Sequence, residues 1–501
     1  MKRVVPLALS LAFASAPASA DTLREALAKA YRDNPTITGS RARQRATDET
    51  VPIARAAGRP NLSSNAGVVD NYLRSGNSFT TPERVAQAQL SLNVPFYSGG
   101  AVKNSVRAAQ TRVEAGQLGL RGTEASLFTE VVGAYNDVIR DEAIVSLNLQ
   151  NVRVLETNLE ATRDRFQVGD LTRTDVAQSE ARLSLARAQL ERAQATLIGS
   201  RENYVRLVGT APGTLEPPPP LPNLPQNADG AVEVALRDNP NLLAALKERD
   251  ATAYDVRVAR AGRLPTLGVG ATGNYVNYLG SLGDGTGLGV GQSGKSAGIG
   301  LNMSLPLFQG GRPAAQVRQA QANRALAFEN VTAAERQVIA SARSAYAVWQ
   351  SSLQVIRSSE QAVAANRLSL EGVRAENSVG TRTILDILNA EQELLNSQVT
   401  LVTARRDAYV AGFALLAAMG EAEAEDLGLD GGPLYNPNDN FRSVRGRFSD
   451  FSDGPAPTPL APSTATVPPQ DASVTRPLDP LLDSKVDRSP TLTTGENAPN
   501  R

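Results

Sequence analysis

The chain has 501 residues, with 51 Lys and Arg balanced by 51 Asp and Glu, and it contains neither Cys nor His. Zero formal charge argues against a nucleic-acid partner, which calls for a basic balance. Without Cys or His there can be no cysteine nucleophile, no Cys/His zinc site and no histidine acid–base chemistry. No cofactor is expected.

Lys2 and Arg3 precede an apolar run from Val4 to Ala14, and Ala18-Ser19-Ala20 reads as a small-residue cleavage site. Residues 1–20 are therefore expected to be a signal peptide, cleaved after Ala20. No Cys follows that site, so the mature chain is not lipid-anchored there. No later stretch holds about 18 consecutive apolar residues, so any membrane insertion must use strands.

From Asp21 to about Ala57 the pattern is helical, with Leu23, Ala26, Leu27, Ala30 and Tyr31 on one face and a kink or restart at Pro35. At Asn61 the period changes to two. Leu62, Ala66, Val68 and Tyr72 alternate with Ser63, Asn65, Gly67 and Asn71; Ser75-Gly76-Asn77-Ser78 makes a turn. On the return strand Ala88, Leu90, Leu92, Val94 and Phe96 alternate with Gln87, Gln89, Ser91 and Asn93. Strands of about ten residues, apolar on one side and amide-rich on the other, suit a position between lipid and a watery lumen. An ordinary half-buried hairpin would give the same pattern.

Ser98-Gly99-Gly100 leads into a helix from Ala101 to about Gln167. Val131, Val138, Val145, Val152, Leu159 and Phe166 form a seven-residue stripe, which implies supercoiled packing against neighbours. A tip follows at Val168-Gly169-Asp170-Leu171-Thr172-Arg173-Thr174-Asp175-Val176, and a second helix runs to about Val208 with Val176, Leu183, Leu190, Leu197 and Tyr204 seven apart. Residues 210–227 form a Pro-rich connector, expected to be extended.

The pattern then repeats. Asp33-Asn34-Pro35 recurs as Asp238-Asn239-Pro240, and Ala57-Gly58-Arg59 as Ala261-Gly262-Arg263. A second strand pair alternates Leu267, Val269, Ala271 and Tyr275 with Gly268, Gly270, Thr272 and Asn274. Its partner sets Ala297, Ile299, Leu301, Met303, Leu305 and Leu307 against Gly298, Gly300, Asn302 and Ser304, across a Gly-rich loop near Gly280 to Gly294. Thereafter the offset settles at 211: Gly99-Gly100 to Gly310-Gly311, Tyr135 to Tyr346, Val168-Gly169 to Val379-Gly380, Asp175 to Asp386, Gly209 to Gly420. Two repeats, 21–209 and 228–420, follow. Two matched strand pairs make chance hairpins a poor explanation. Residues 421–501 form a C-terminal segment, expected to be largely disordered from about 454, where Pro, Ser, Thr and Asp dominate.

Four strands cannot close a barrel, and open edges are not tolerated in lipid. The expected fold is therefore an α+β membrane protein in which several copies share one barrel, continued by helices roughly 100 Å long. Gly268-Val269-Gly270-Ala271-Thr272-Gly273 fits a dinucleotide fingerprint, but it lies inside a strand with no helix after it. A structural or adhesive coiled-coil surface protein explains the helices and not the matched strand pairs.

The duplication, the junctions Pro95-Phe96-Tyr97-Ser98-Gly99-Gly100 and Pro306-Leu307-Phe308-Gln309-Gly310-Gly311, and the tip Val379-Gly380-Thr381-Arg382-Thr383-Ile384-Leu385-Asp386 resemble the TolC-type outer-membrane efflux and secretion channels over roughly residues 21–420. That resemblance implies a homotrimer with a twelve-stranded outer-membrane barrel and a periplasmic α-helical barrel, a passive exit duct of a tripartite efflux pump or type I secretion system. It implies a periplasmic membrane-fusion adaptor and an inner-membrane pump of the ABC or proton-driven type as partners. Carried over residue by residue, it implies a periplasmic gate in which Thr174 and Asp175 link to Arg382 of a neighbouring tip. Asp386 would form an acidic ring. Asn377 and Asn389 stand where the family has a tyrosine and a second acidic residue. The adaptor-docking tips would be Val168, Gly169, Asp170 and Leu171 with Val379, Gly380 and Thr381. For Asp175 and Asp386 a plain helix N-terminal role, favoured by the macrodipole, is the competing reading.

Overall fold

The computed structural model describes residues 21–73, 82–281, 291–429, 434–474 and 476–483. The expected signal peptide, the turn at 75–78, the middle of the Gly-rich loop and the last part of the tail lie outside the described residues.

The N-terminal helical pattern resolves into α1 (Leu23–Asp33), α2 (Pro35–Asp48) and α3 (Thr50–Ala56). Asn34 ends α1 and caps α2, its side chain accepting from Thr36 N, with Pro35 in the first turn where no N–H is needed. The break at Glu49 was not expected; it lies just before Pro52, whose ring has no N–H to continue the α2 ladder.

Strands β1 (Asn61–Asp70), β2 (Arg84–Ser98), β3 (Thr266–Asn277) and β4 (Ser293–Ser304) form one antiparallel sheet in the order β1-β2-β3-β4. The register sorts its faces. Leu62, Leu92, Ala271 and Ile299 lie in one row across the ladder, and Ala66, Ala88 and Tyr275 in another. The opposite face carries rows such as Ser63, Ser91, Thr272 and Gly298, where the Ser63 and Ser91 hydroxyls meet at 2.7 Å. The expected β4 is shortened: Leu305 and Leu307 fall beyond Ser304, because Pro306 cannot donate to the ladder. A bulge between Pro95 and Tyr97 also takes Phe96 out of strict alternation.

Both strand-to-helix junctions turn through paired glycines, Gly99 and Gly100 at φ 61° and 82° and Gly310 and Gly311 at φ 58° and 84°. These conformations favour glycine strongly. From them run α4 (Ala101–Gln167) and α8 (Arg312–Ser378), each of 67 residues, which return as α5 (Arg173–Val208) and α9 (Ile384–Met419), each of 36. The second repeat opens with α6 (Ala228–Asp238) and α7 (Pro240–Ala261), the counterparts of the N-terminal helices.

The repeats share their fastenings as well as their lengths. Asn34 donates to Leu207 O at 2.8 Å and Asn239 to Ala418 O at 2.9 Å. The Tyr135 hydroxyl lies 2.7 Å from Glu216 O, and that of Tyr346 lies 2.9 Å from Gln226 O. The largest core is equatorial: Phe128, Val131, Tyr135, Tyr204 and Leu215 with Leu23, Leu27 and Ala30 of α1.

Near the strands the helices run in the order α2/α3, α4, α7, α8, following the strand order above them. Farther down it is α5, α4, α9, α8. Helix α4 is flanked on both sides and buries much of its length. Helix α8, at the edge, leaves Leu326, Phe328, Val348, Val355 and Leu368 exposed. Among the described residues no helix is long and apolar enough to cross a membrane. The C-terminal segment holds an unforeseen helix, α10 (Pro437–Val444), against α2. Within the stretch expected to be largely disordered from about 454, residues 470–474 and 476–483 lie on the long helices. Leu482 is buried among α4, α8 and α9 side chains, a fact hidden by the polar composition around it.

Candidate functional site at the helical tips

Each long hairpin ends in the same turn, built by backbone chemistry. Helix α4 leaves its last carbonyls without partners, and the turn supplies them. Gly169 N donates to Phe166 O at 3.0 Å and Asp170 N to Arg165 O at 2.9 Å. At the second tip Gly380 N donates to Asn377 O at 2.9 Å and Thr381 N to Glu376 O at 3.0 Å. This is the double bond pattern of a Schellman cap, which needs a left-handed residue after the helix. Gly169 and Gly380 supply it at φ 83° and 82°. No protein atom lies within 4 Å of where a Cβ would stand on either glycine. Val168 and Val379 project beside them, 81% and 74% exposed, two apolar side chains at the very ends of the hairpins. Leu171 is half-buried, and Asp170 is held back by Arg165 at 2.6 Å.

The returning helices start with identical capping boxes. Thr172 accepts from Asp175 N at 3.3 Å while Asp175 Oδ2 accepts from Thr172 N at 2.9 Å and Thr172 Oγ1 at 2.7 Å. Thr383 and Asp386 repeat the arrangement at 3.3, 3.0 and 2.8 Å. Two orphan N–H groups are satisfied at each helix start. The bonds from the threonine side chain and backbone hold both carboxyls below the usual carboxylate range, so both are charged at neutral pH. The helix-start role of Asp175 and Asp386 is thus fully formed within one chain.

Other predicted site residues are tied within their own chain. Arg382 Nε donates to Glu376 Oε2 at 2.7 Å, across its own turn. Asn377 is buried, and its side chain donates to Arg382 O at 2.7 Å, so it locks the turn from inside. Asn389 accepts from Arg182 Nη2 at 2.7 Å, joining α9 to α5. Thr174 is exposed in the first turn of α5. Within a single chain Arg382 is not brought to Thr174 or Asp175.

One group escaped the sequence reading. Glu391 of α9 is buried, its Oε1 accepting from Arg374 of α8 at 2.9 Å and from Asn158 of α4 at 3.3 Å. Its Oε2 is buried with no partner. Burial raises its carboxyl pKa, against the pull of Arg374. The signal was present: Ile387, Glu391, Leu394, Gln398 and Leu401 follow the core-facing 4, 3, 4, 3 spacing, so Glu391 places a carboxylate in an apolar stripe.

Comparison with known proteins places this geometry. The model of the outer membrane efflux protein family matches residues 26–210 and 231–421, one match on each repeat. The outer membrane efflux protein BepC of Brucella suis biovar 1 (strain 1330) is 33% identical over 431 residues, 86% of this chain and 92% of that protein. The outer membrane protein TolC of Escherichia coli (strain K12) is 27% identical over 482 residues, 92% of this chain and 96% of that one. The crystal structure of the outer membrane protein VceC of Vibrio cholerae shares the fold at TM-score 0.67 and 23% identity, over 79% of this chain and 96% of that one. With both repeats matched and a relative one-third identical along nearly its whole length, the chain belongs to the outer membrane efflux protein family and is an outer-membrane channel of efflux and secretion.

Proposed function

We propose that three copies of the chain close into a twelve-stranded barrel in the outer membrane, continued by a periplasmic barrel of helices. The observation that carries this reading is the pair of unpaired edges. Strands β1 and β4 each have a neighbour on one side only, in a sheet with an apolar face formed by residues such as Leu62, Leu90 and Ile299. Lipid cannot satisfy those edges, so β4 of one copy pairs with β1 of the next. Edge helix α8 then meets α2/α3 above and α5 below, covering its exposed apolar side chains. A coiled-coil scaffold without a channel leaves the apolar strand face unexplained.

The tips form the gate and the docking surface. In the closed assembly Arg382 of one copy leaves Glu376 for Thr174 and Asp175 of the next, where Asp175 Oδ1 has no hydrogen bond among the described residues. Three copies of Asp386 near the axis repel one another and attract cations, so the ring is selective and costly to close. Val168-Gly169 and Val379-Gly380, with Asp170, Leu171 and Thr381, offer a shallow apolar notch to a periplasmic membrane-fusion adaptor, which links the channel to an inner-membrane pump of the ABC or proton-driven type. Residues 210–227 run between the repeats, with Tyr135, Tyr409 and Tyr346 donating to the carbonyls of Glu216, Pro219 and Gln226.

The test is a heat-sensitive trimer in detergent that gives discrete conductance steps in planar bilayers, rising when Arg382→Ala or Asp175→Ala is introduced. A monomer without conductance would sink the channel assembly, and unchanged conductance in both variants would sink the latch.

A further inference from the structure

The C-terminal residues 470–474 and 476–483 touch both hairpins. On the first, Gln470 N donates to Glu202 Oε1 at 3.0 Å. Arg201 Nη1 donates to Asp471 O at 2.8 Å and to Asp471 Oδ1 at 3.0 Å, and its Nη2 to Ser473 O at 2.8 Å. The same guanidinium pairs with Glu142 of α4 at 2.7 Å, and the two side chains are 11% and 4% exposed. Desolvation of a buried ion pair is offset by hydrogen bonds to its remaining donors; the Asp471 and Ser473 carbonyls supply these to Arg201 Nη1 and Nη2, while its Nε is buried without a partner.

On the second hairpin, Asp479 pairs with Arg405 of α9 at 2.7 Å, and Arg367 of α8 donates to Leu481 O at 2.6 Å. Gln398 of α9 donates to Leu482 O at 2.8 Å in a buried bond. The Leu482 side chain, 3% exposed, completes an apolar cluster with Leu147 of α4, Val363 and Leu370 of α8, and Leu394 and Leu401 of α9. Asp483 Oδ1 accepts from Gln150 of α4 at 3.0 Å. One short segment therefore holds a side chain or carbonyl on each of the four long helices.

We propose that residues 470–483 are a strap that couples the two hairpins and resists their separation when the tip opens. The proposal rests on the reading of the tip as a gate. From Ser473, fixed to α5, to Asp479, fixed to α9, six residues extended reach about 20 Å, and this sets the limit to which α5 and α9 can part at that level. Pro477 reduces the slack, because its ring fixes a backbone dihedral within that span. Gln398 is twelve residues up α9 from Asp386, about 18 Å along the helix. The strap thus grips the second hairpin as a lever above the gate, outside the tip itself. Outward swing of α8 and α9 must break the Asp479 pair or draw Leu482 from its cluster.

The experiment compares hydrogen exchange and bilayer conductance of the full-length channel with those of its Leu482→Asp, Asp479→Ala and Arg382→Ala variants. Leu482→Asp puts a charge into the cluster; Asp479→Ala removes the Arg405 pair and the bond from Leu481 N but no cluster side chain, so it keeps the test valid if the first variant fails to assemble. The expected result is protection of the strap amides in the parent. In Leu482→Asp, exchange of 363–370 and 394–402 rises about tenfold and conductance rises, with a smaller rise in Asp479→Ala. Two results overturn the strap: strap amides that exchange in the parent as fast as a free peptide, or a freed strap in Leu482→Asp with unchanged exchange in α8 and α9. If the strap variants loosen α8 and α9 but neither they nor Arg382→Ala raises conductance, the gate reading falls and the coupling stands.

Discussion

Glu391 gives a sharp test of how the two hairpins are held together. Its carboxylate is buried beside Arg374, whose side chain is 24% exposed, and Asn158. Replacing Arg374 by Ala leaves Glu391 without its cation. Breaking a buried pair this way costs about 3–5 kcal/mol, and the low end applies here because Arg374 already reaches water. About 3 kcal/mol corresponds to roughly a hundredfold change in a local opening equilibrium. Replacing Glu391 by Leu acts in the opposite direction. It removes the desolvated carboxylate and its unpartnered Oε2, and sets an apolar side chain next to Leu388, Leu394 and Leu395; such exchanges are neutral or stabilising by about 1–4 kcal/mol. The assay is hydrogen exchange of amides 388–398 in the assembled channel: faster by about a hundredfold in Arg374→Ala and unchanged or slower in Glu391→Leu. The pH dependence follows from the raised carboxyl pKa. A carboxyl that binds its proton more tightly folded than unfolded adds stability at low pH, and that contribution is lost as pH rises from the usual carboxylate range through the raised value. In Arg374→Ala the excess opening should therefore shrink as the pH is lowered. Faster exchange in both variants, or an excess that grows on acidification, would refute the account.

Further outcomes follow from the same geometry. Gly380→Ala meets no atom, so its cost is backbone strain alone, about 1–2 kcal/mol at a left-handed position, read as faster exchange at the second tip with unchanged trimer assembly. Asp175→Asn and Asp386→Asn weaken the capping boxes, because the charged acceptor of the threonine N–H and hydroxyl is lost. Because both carboxyls are held low, their contribution is present above the usual carboxylate range and fades as pH falls through the lowered values; fraying of 173–176 and 384–387 on acidification, absent in the Asn variants, checks this. Ile299→Lys on the apolar face of β4 should cost about 2–4 kcal/mol if that face meets the middle of a bilayer, measured as lost assembly in outer-membrane fractions; Ser63→Lys on the opposite face should assemble.

The long helices and their tips were legible from sequence because their causes are local. The Val-Gly turn needs a left-handed residue, and Thr172 with Asp175 and Thr383 with Asp386 carry the capping box in four consecutive residues. A seven-residue stripe fixes which face of α4 is covered. The strand pairs were legible by alternation, and the error at Leu305 and Leu307 came from following hydrophobicity up to and across Pro306, beyond the strand end at Ser304. Asn377 was read only as a missing tyrosine, because its bond to the Arg382 carbonyl closes around the turn.

What the sequence by itself determined is the duplication, the span of the long helices and the chemistry of each turn, since these depend on periodicity and on residues within a few positions of one another. Only the tertiary structure decided what the distant groups do. It set Glu391 beside Arg374 and Asn158, from three helices, and it laid Leu482 into a cluster built by residues more than eighty positions away. Composition marked residues 470–483 as too polar to fold. It could not register that one leucine, a few carbonyls and two aspartates find a surface already ordered by the long helices, so that docking costs only the entropy of the strap itself.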